Sequence, residues 1–151
     1  MRYPLCLSAM LLMAATGAGA DQAVPSAGKT VLDAKKACQI AVPADWTTDT
    51  STGYSPGKKA TVTVHGLRAG QTFEDGKDAA RQGMKPIKIV QDDAKRLMYT
   101  TDANALGGSR GDNGWYVIIN TTPVCTASLT FAAGADEGIL RKIADSLAVV
   151  K

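Results

Sequence analysis

The chain has 151 residues, of which 45% are hydrophobic and 21% charged, and it carries 17 basic against 14 acidic side chains. This composition and length suit one packed domain and exclude a disordered, collagen-like or coiled-coil chain. The formal net charge of +3 is small, which argues against nucleic acid as a partner.

The first twenty residues have the three parts of a secretory signal peptide. Arg2 is positively charged, residues 5–15 (LCLSAMLLMAA) are apolar, and residues 18–20 (AGA) form a small-x-small cleavage site. We therefore expect cleavage between Ala20 and Asp21 and export to the periplasm or the extracellular space. Eleven apolar residues fall short of the ~20 that cross a bilayer, so we expect no stable membrane insertion after cleavage.

Two cysteines, Cys38 and Cys125, remain in the mature chain, because Cys6 leaves with the signal peptide. An even pair in an exported protein predicts a disulfide bond. Metal binding is the alternative, but the chain has a single histidine, His65, and no C-x-x-C spacing. We therefore predict no metal site.

Residues 21–30 are small and polar and are predicted to be a flexible lead-in to a single domain at 31–151. The predicted elements, in chain order, are a strand at 37–43, turn-forming residues at 49–59, a strand at 60–66, a helix at 73–82, a hairpin of strands at 86–90 and 95–101, a Gly-rich loop at 102–114, strands at 115–121 and 124–132, a helix after Asp136 and a tail at 148–151.

Capping residues and periodicity support the two helices. Thr72 is a typical N-cap, and Asp75 stands three residues later, where a capping-box carboxylate belongs. In the second helix, one apolar face is predicted from residues at helical spacing, namely Ile139, Leu140, Ile143 and Leu147.

The alternation of the strands indicates that both mature cysteines point into the core. Cys38 alternates with Ile40 and Val42, and Cys125 alternates in the same way with Leu129. We therefore expect the two strands to be neighbours in one sheet or to face each other across the core.

The order of elements describes an α+β domain, an antiparallel β-sheet with two helices packed on it. Residues 39–46 (QIAVPADW) resemble the opening "strand, Pro, x-x-Trp" of the PsbP-like families, and residues 129–131 (LTF) with 140–147 (LRKIADSL) resemble their closing strand and helix. These families include the photosystem II extrinsic subunit P, a Ran-binding nuclear factor and many exported bacterial proteins. The resemblance implies a PsbP-like α/β/α sandwich; it implies no activity, because no residue here matches the partner-binding residues of either named member.

No catalytic constellation is recognisable, so we predict no catalytic residues. His65 is the sole histidine, and G-x-S-x-G is absent from the sequence. The Gly-rich segments lack the phosphate-loop pattern, and no cofactor is predicted. Paired carboxylates leave open a small secreted hydrolase acting around His65, although each pair is explained more simply by a helix start or a turn. These pairs are Glu74 with Asp75, Asp92 with Asp93, and Asp136 with Glu137.

The loop at 102–114 is the predicted functional segment, since long loops on small domains often carry binding residues. The candidate partner-binding residues are Arg110, Asp112, Asn113, Trp115 and Tyr116. Trp115 has an alternative place in the core, on the strand face of Val117 and Ile119. The sequence thus favours an exported, non-enzymatic domain that binds a protein partner or an envelope component.

Overall fold

A computed structural model of the protein describes residues 28–151. The predicted signal peptide and its cleavage point lie outside the described residues. Within this range the strands are β1 (Lys29–Leu32), β2 (Cys38–Val42), β3 (Thr47–Asp49), β4 (Thr52–Tyr54), β5 (Ala60–Gly66), β6 (Lys88–Asp92), β7 (Arg96–Asp102), β8 (Asn113–Ile119), β9 (Cys125–Phe131) and β10 (Ala148–Val149). The helices are α1 (Phe73–Gly83) and α2 (Glu137–Asp145), and short 3-10 helices cover Pro56–Lys58 and Ala103–Leu106.

The described strands form two antiparallel sheets. One has three strands in the order β1-β2-β10, and the other has seven in the order β3-β4-β5-β9-β8-β7-β6. The two helices pack on these sheets. The predicted class, an antiparallel α+β domain with two helices, is confirmed; the division into two sheets was not predicted.

The seven-stranded sheet has an inner and an outer face, and each carries its own apolar cluster. The three-stranded sheet and α2 cover the inner face, where strand alternation buries Val62, Val64 and Leu129 completely. Helix α1 packs on the outer face through Phe73 and Ala80. The domain is therefore layered, with α1 on one side and the small sheet with α2 on the other.

The predicted disulfide is present between Cys38 of β2 and Cys125 of β9, whose Cα atoms are 5.6 Å apart. Both residues are completely buried. Because β2 and β9 belong to different sheets, the second of the two expected arrangements is the one observed. The bond links the two sheets across the core.

The predicted helix caps are also present. Thr72 Oγ1 accepts a hydrogen bond from the Asp75 amide, and the Asp75 carboxylate accepts one from the Thr72 amide, at 3.2 and 2.9 Å. Asp136 Oδ1 accepts from the Ile139 amide at 3.0 Å. The acidic pairs at 74–75 and 136–137 therefore lie at helix starts. The sequence analysis had offered this as the simpler alternative to catalytic carboxylates.

Four short strands lie where the sequence predicted none. β1 begins at Lys29, inside the predicted lead-in; β3 and β4 form a hairpin that starts at Thr47 and runs into the predicted turn region; and β10 lies in the predicted tail. Each is held by a neighbouring strand rather than by its own propensity. Gly53 of β4 shows how closely such a strand packs on its neighbours. A Cβ at this position would lie 3.2 Å from the side chains of Val31 in β1 and Val62 in β5.

Two further expectations need correction. The predicted loop at 102–114 is shorter, since Ala103–Leu106 is a 3-10 helix and β8 already begins at Asn113. Ile139 remains 41% exposed, whereas Leu140 and Ile143 are buried. The apolar face of α2 is narrower than the spacing suggested, because the helix meets the core through Leu140, Ile143 and Ala144, a stripe that leaves Ile139 at its exposed edge.

Candidate binding site

The outer face of the seven-stranded sheet is only half covered. Helix α1 lies over β7 and β8, whose outward side chains form the second apolar cluster. On β4, β5 and β9 the outward side chains carry hydroxyl groups, with the exception of His65 near the end of β5. These residues, here called the hydroxyl floor, are Thr52, Tyr54, Thr61, Thr63, Ser128 and Thr130.

Strand register places these hydroxyl groups side by side. Thr63 lies opposite both Thr52 and Ser128, and Thr61 lies opposite both Tyr54 and Thr130. Directly opposed residues in antiparallel strands share a face, with Cβ atoms ~4.5–5.5 Å apart. The floor is therefore a regular lattice that spans three strands.

The segment after the second 3-10 helix forms one wall of this surface through Gly107, Gly108, Ser109 and Asp112. Gly108 makes the close approach possible, because a Cβ there would lie 2.8 Å from Thr130 Cγ2 and 3.0 Å from Ala103 Cβ. A side chain at this position would push the wall away from the floor.

Lys58 and Lys59 stand at the opposite rim, in the turn between β4 and β5. Neither ammonium group lies within 4 Å of a carboxylate among the described residues. Lys58 Nζ instead lies 5.9 Å from the centre of the Tyr54 ring. Floor, wall and rim enclose a cavity of about 450 Å³, called here the polar groove.

A second groove of about 620 Å³ lies on the inner side, between β6, β7, β8 and α2. It is more apolar, with Ile87, Val90 and Trp115 in its lining. β6 is an edge strand, and Ile87 is 74% exposed. Nothing among the described residues covers this groove.

The five predicted partner-binding residues are divided between different surfaces. Asp112 lines the polar groove, whereas Asn113 and Trp115 line the second groove on the other face. Arg110 is exposed in the loop. Tyr116 is buried on the outer face beside Tyr99. The five residues do not form one patch, because successive residues of β8 point to opposite faces.

Trp115 belongs mainly to the core, which was the alternative interpretation. It is 9% exposed, and its ring meets that of Phe131 edge-on at a centroid distance of 5.1 Å.

The sequence analysis did not predict the hydroxyl floor. Alternating Thr61 and Thr63 were a signal, but only the pairing of β5 with β9 joins them to the predicted loop.

Burial also determines the protonation of the tyrosines beneath α1. Burial raises the pKa of Tyr99 far above its usual value, with a smaller contribution from Tyr116. Burial likewise raises the pKa of Tyr116, opposed by a hydrogen bond with Thr126. The neutral form of both phenols, already the ordinary form at physiological pH, is thus favoured further, and both rings pack beneath α1.

The geometry required by the hydrolase alternative is not present in residues 28–151. His65 is exposed near the end of β5 and forms no ion pair with a described carboxylate. Asp92 is engaged by Lys77 and Arg81, and Asp93 accepts backbone N–H bonds in the β6–β7 turn. The hydrolase hypothesis required a carboxylate within hydrogen-bond reach of His65, and no described Asp or Glu forms such a pair with it.

Across the described range, no cluster of three or more His, Cys, Asp or Glu side chains could hold a metal ion. No helix in residues 28–151 has the length and apolarity required to cross a membrane.

Comparison with known proteins identifies the fold. No protein-family model and no curated protein matches the chain. Among solved structures, cyanobacterial PsbP (CyanoP) from Synechocystis matches with a TM-score of 0.51 and 12% sequence identity, over 92% of this chain and 99% of that one. A Bacteroides thetaiotaomicron protein matches with a TM-score of 0.46 and 16% identity, over 82% of this chain and 49% of the other. The protein has a PsbP-like fold, as the sequence resemblance implied.

Proposed function

We propose that the protein is an exported, non-enzymatic domain that binds a protein partner or an envelope component through the polar groove and its loop wall. The observation that carries the proposal is the placement of the loop. The segment predicted to bind forms a wall of an open, polar cavity on a disulfide-linked scaffold. Binding residues often lie on loops that a rigid sheet positions.

The rigidity of the groove supports the same proposal. Its floor consists of three paired strands, and the wall, which Gly108 allows to approach Thr130, is fixed by a hydrogen bond from the Gly108 amide to the Ala103 carbonyl at 2.8 Å. A preformed groove loses little conformational entropy when it is occupied. The buried disulfide is consistent with an oxidising compartment.

Site-specific photo-crosslinking in intact cells tests partner binding. A crosslinking amino acid at Ser109, in the groove wall, should give a discrete adduct. The control carries the same amino acid at Ala44, an exposed residue in the loop that follows β2. Equal adducts at both positions, or none at Ser109, would contradict the proposal.

Point replacement is a better test of the loop than deletion, because a deletion of residues 105–112 would remove Leu106, which packs against the outer-face cluster.

Export is tested separately by fractionation and N-terminal sequencing. The mature chain should begin at Asp21, and an unprocessed cytoplasmic chain would refute the export proposal.

A further inference from the structure

We infer that the polar groove binds an acidic glycan, a polymer of hydroxyl-rich units that carries carboxylate or phosphate groups. This inference rests on the proposed function and specifies its ligand. Three features of the groove support it: unpaired positive charge at the rim, the fixed backbone that presents this charge, and the hydroxyl lattice of the floor.

The first feature is the charge balance of the groove. Lys58 and Lys59 are exposed and lack a carboxylate within 4 Å among the described residues, and Asp112 is the acidic side chain in the lining. Two ammonium groups against one carboxylate leave a positive rim. An anionic group is the complementary ligand, because ammonium groups donate strong hydrogen bonds to carboxylate and phosphate oxygens.

The second feature is the backbone of the lysine turn. Gly57 and Lys58 have φ angles of 67° and 54°, and the left-handed region is uncommon for a lysine. The turn is held by Ser55, whose Oγ accepts from the Ala60 amide at 2.8 Å and whose carbonyl accepts from the Lys58 amide at 2.9 Å. The lysine backbone is thereby placed at the rim before any ligand binds.

The third feature is that the floor hydroxyl groups have no hydrogen-bond partner among the described residues. Some hydroxyl groups elsewhere in the fold do have one; Thr101 Oγ1, for example, donates to the Met84 carbonyl at 2.6 Å. Each floor hydroxyl can both donate and accept. A ligand with many hydroxyl groups can use this whole lattice, whereas a simple anion uses only the rim.

The position of the groove favours a glycan over an acidic peptide. The floor is a sheet face rather than a sheet edge, so the strands have no free backbone groups there for an extended peptide to pair with. The lining also offers little apolar surface for an anchoring side chain, since Leu106 is its large aliphatic member and the Tyr54 ring carries a hydroxyl group. An acidic peptide is therefore the competing ligand in the test.

The test measures affinity by calorimetry with defined probes on the mature protein. The acidic glycans are an oligogalacturonate and an oligomer of glycerol phosphate, which separate carboxylate from phosphate recognition. The comparison ligands are a methyl-esterified oligogalacturonate and poly-glutamate. We expect at least one acidic glycan to bind more tightly than both comparison ligands and to weaken as salt is raised.

Matched variants assign the binding to the groove. K58Q/K59Q should weaken acidic-glycan binding roughly tenfold, as expected when two exposed charge contacts are lost. The control K35Q/K36Q removes the same charge from an exposed turn of the other sheet, where Lys36 also has a positive φ of 55°. T61V/T63V removes two floor hydroxyl groups at nearly constant volume and should weaken binding of the glycan but not of free phosphate.

The inference is overturned if neither acidic glycan binds better than the esterified one, if poly-glutamate binds as tightly, or if K58Q/K59Q behaves like its control. Thermal melting of each variant establishes that it is folded. Should the Ser109 adduct persist while the glycans fail to bind, the ligand class is wrong and the proposed function stands. Should both fail, the groove is not a binding site.

Discussion

Cys38 and Cys125 are bonded across the core, and their bond is the covalent link between the three-stranded and the seven-stranded sheet. Gly66 is a common neighbour of this bond and of Asp33. A Cβ at Gly66 would lie 3.5 Å from the Asp33 carboxylate and 3.6 Å from Cys38 Sγ. Asp33 accepts from the Cys38 amide at 2.7 Å. The covalent bond and the turn that begins β2 therefore form one structural unit.

Removal of the disulfide should destabilise the protein substantially. The bond closes a loop of about 88 residues, for which chain entropy predicts ~4–5 kcal/mol. Reduction, or the double replacement C38A/C125A, should lower Tm by roughly 15 °C. In the unreduced protein, denaturation should expose no titratable thiol in the mature chain, whereas two free thiols would contradict the assignment.

Asp33 should be essential to the turn between β1 and β2. It is 5% exposed and accepts hydrogen bonds from the amides of Lys35, Ala37 and Cys38 at 3.2, 2.6 and 2.7 Å. Replacement D33A leaves these amides unpaired and should cost ~2–4 kcal/mol in urea unfolding. A cost below about 1 kcal/mol would show that water replaces the carboxylate. D45A, at an exposed residue, is the control.

The protein should lose stability in acid through carboxylates stabilised in the folded state. Burial acts to raise the pKa of Asp33, but the amides of Cys38, Ala37 and Lys35 outweigh it and lower the pKa. The hydrogen bond from Lys77 lowers the pKa of Asp92. A lowered folded-state pKa contributes stability above the unfolded value of ~3.9, and this contribution is lost as pH falls below it. The fall in Tm between pH 7 and 3 should be smaller in D33N than in the native chain.

The ion pair between α1 and β6 should be sensitive to which partner is removed. Lys77 Nζ lies 2.8 Å from Asp92 Oδ1, the Lys77 side chain is 9% exposed, and Arg81 also binds Asp92. D92N leaves a nearly buried ammonium group whose remaining ion-pair partner is the more distant Glu74, at 3.5 Å, which is costly. K77M leaves Asp92 paired with Arg81, so its Tm should fall less than that of D92N. The reverse order would contradict this assignment.

Gly108 should be intolerant of even a methyl group. An alanine Cβ would lie 2.8 and 2.9 Å from two carbons of Thr130, a β-branched residue fixed in β9, so we expect G108A to cost ~1–3 kcal/mol in denaturant unfolding. G83A is the matched control, because nothing lies within 4 Å of a Cβ at that helix end and its φ is not positive. G108A should also weaken partner or glycan binding, since it displaces the groove wall.

Much of the local structure followed from the sequence because its causes are local. Alternation predicted β2, β5, β8 and β9, and the caps Thr72 and Asp136 predicted where the helices begin. The disulfide was predictable because the expected mature chain has one pair of cysteines and strand alternation turns both of them inward. In each case the deciding physics acts between residues close together in the chain, such as side-chain direction along a strand or the first turn of a helix.

The tertiary structure alone decided the candidate site. Whether Thr61 and Thr63 face solvent as a lattice depends on the register of β5 with β9 and on α1 covering only β7 and β8. Alternation along β8 places Trp115 and Tyr116 on opposite faces in any register, and it was the packing on each face that buried both residues and divided the predicted patch. Short strands such as β10 exist because β2 offers an edge to pair with. These outcomes depend on contacts between residues distant in sequence, and periodicity carries no information about which strand lies beside which.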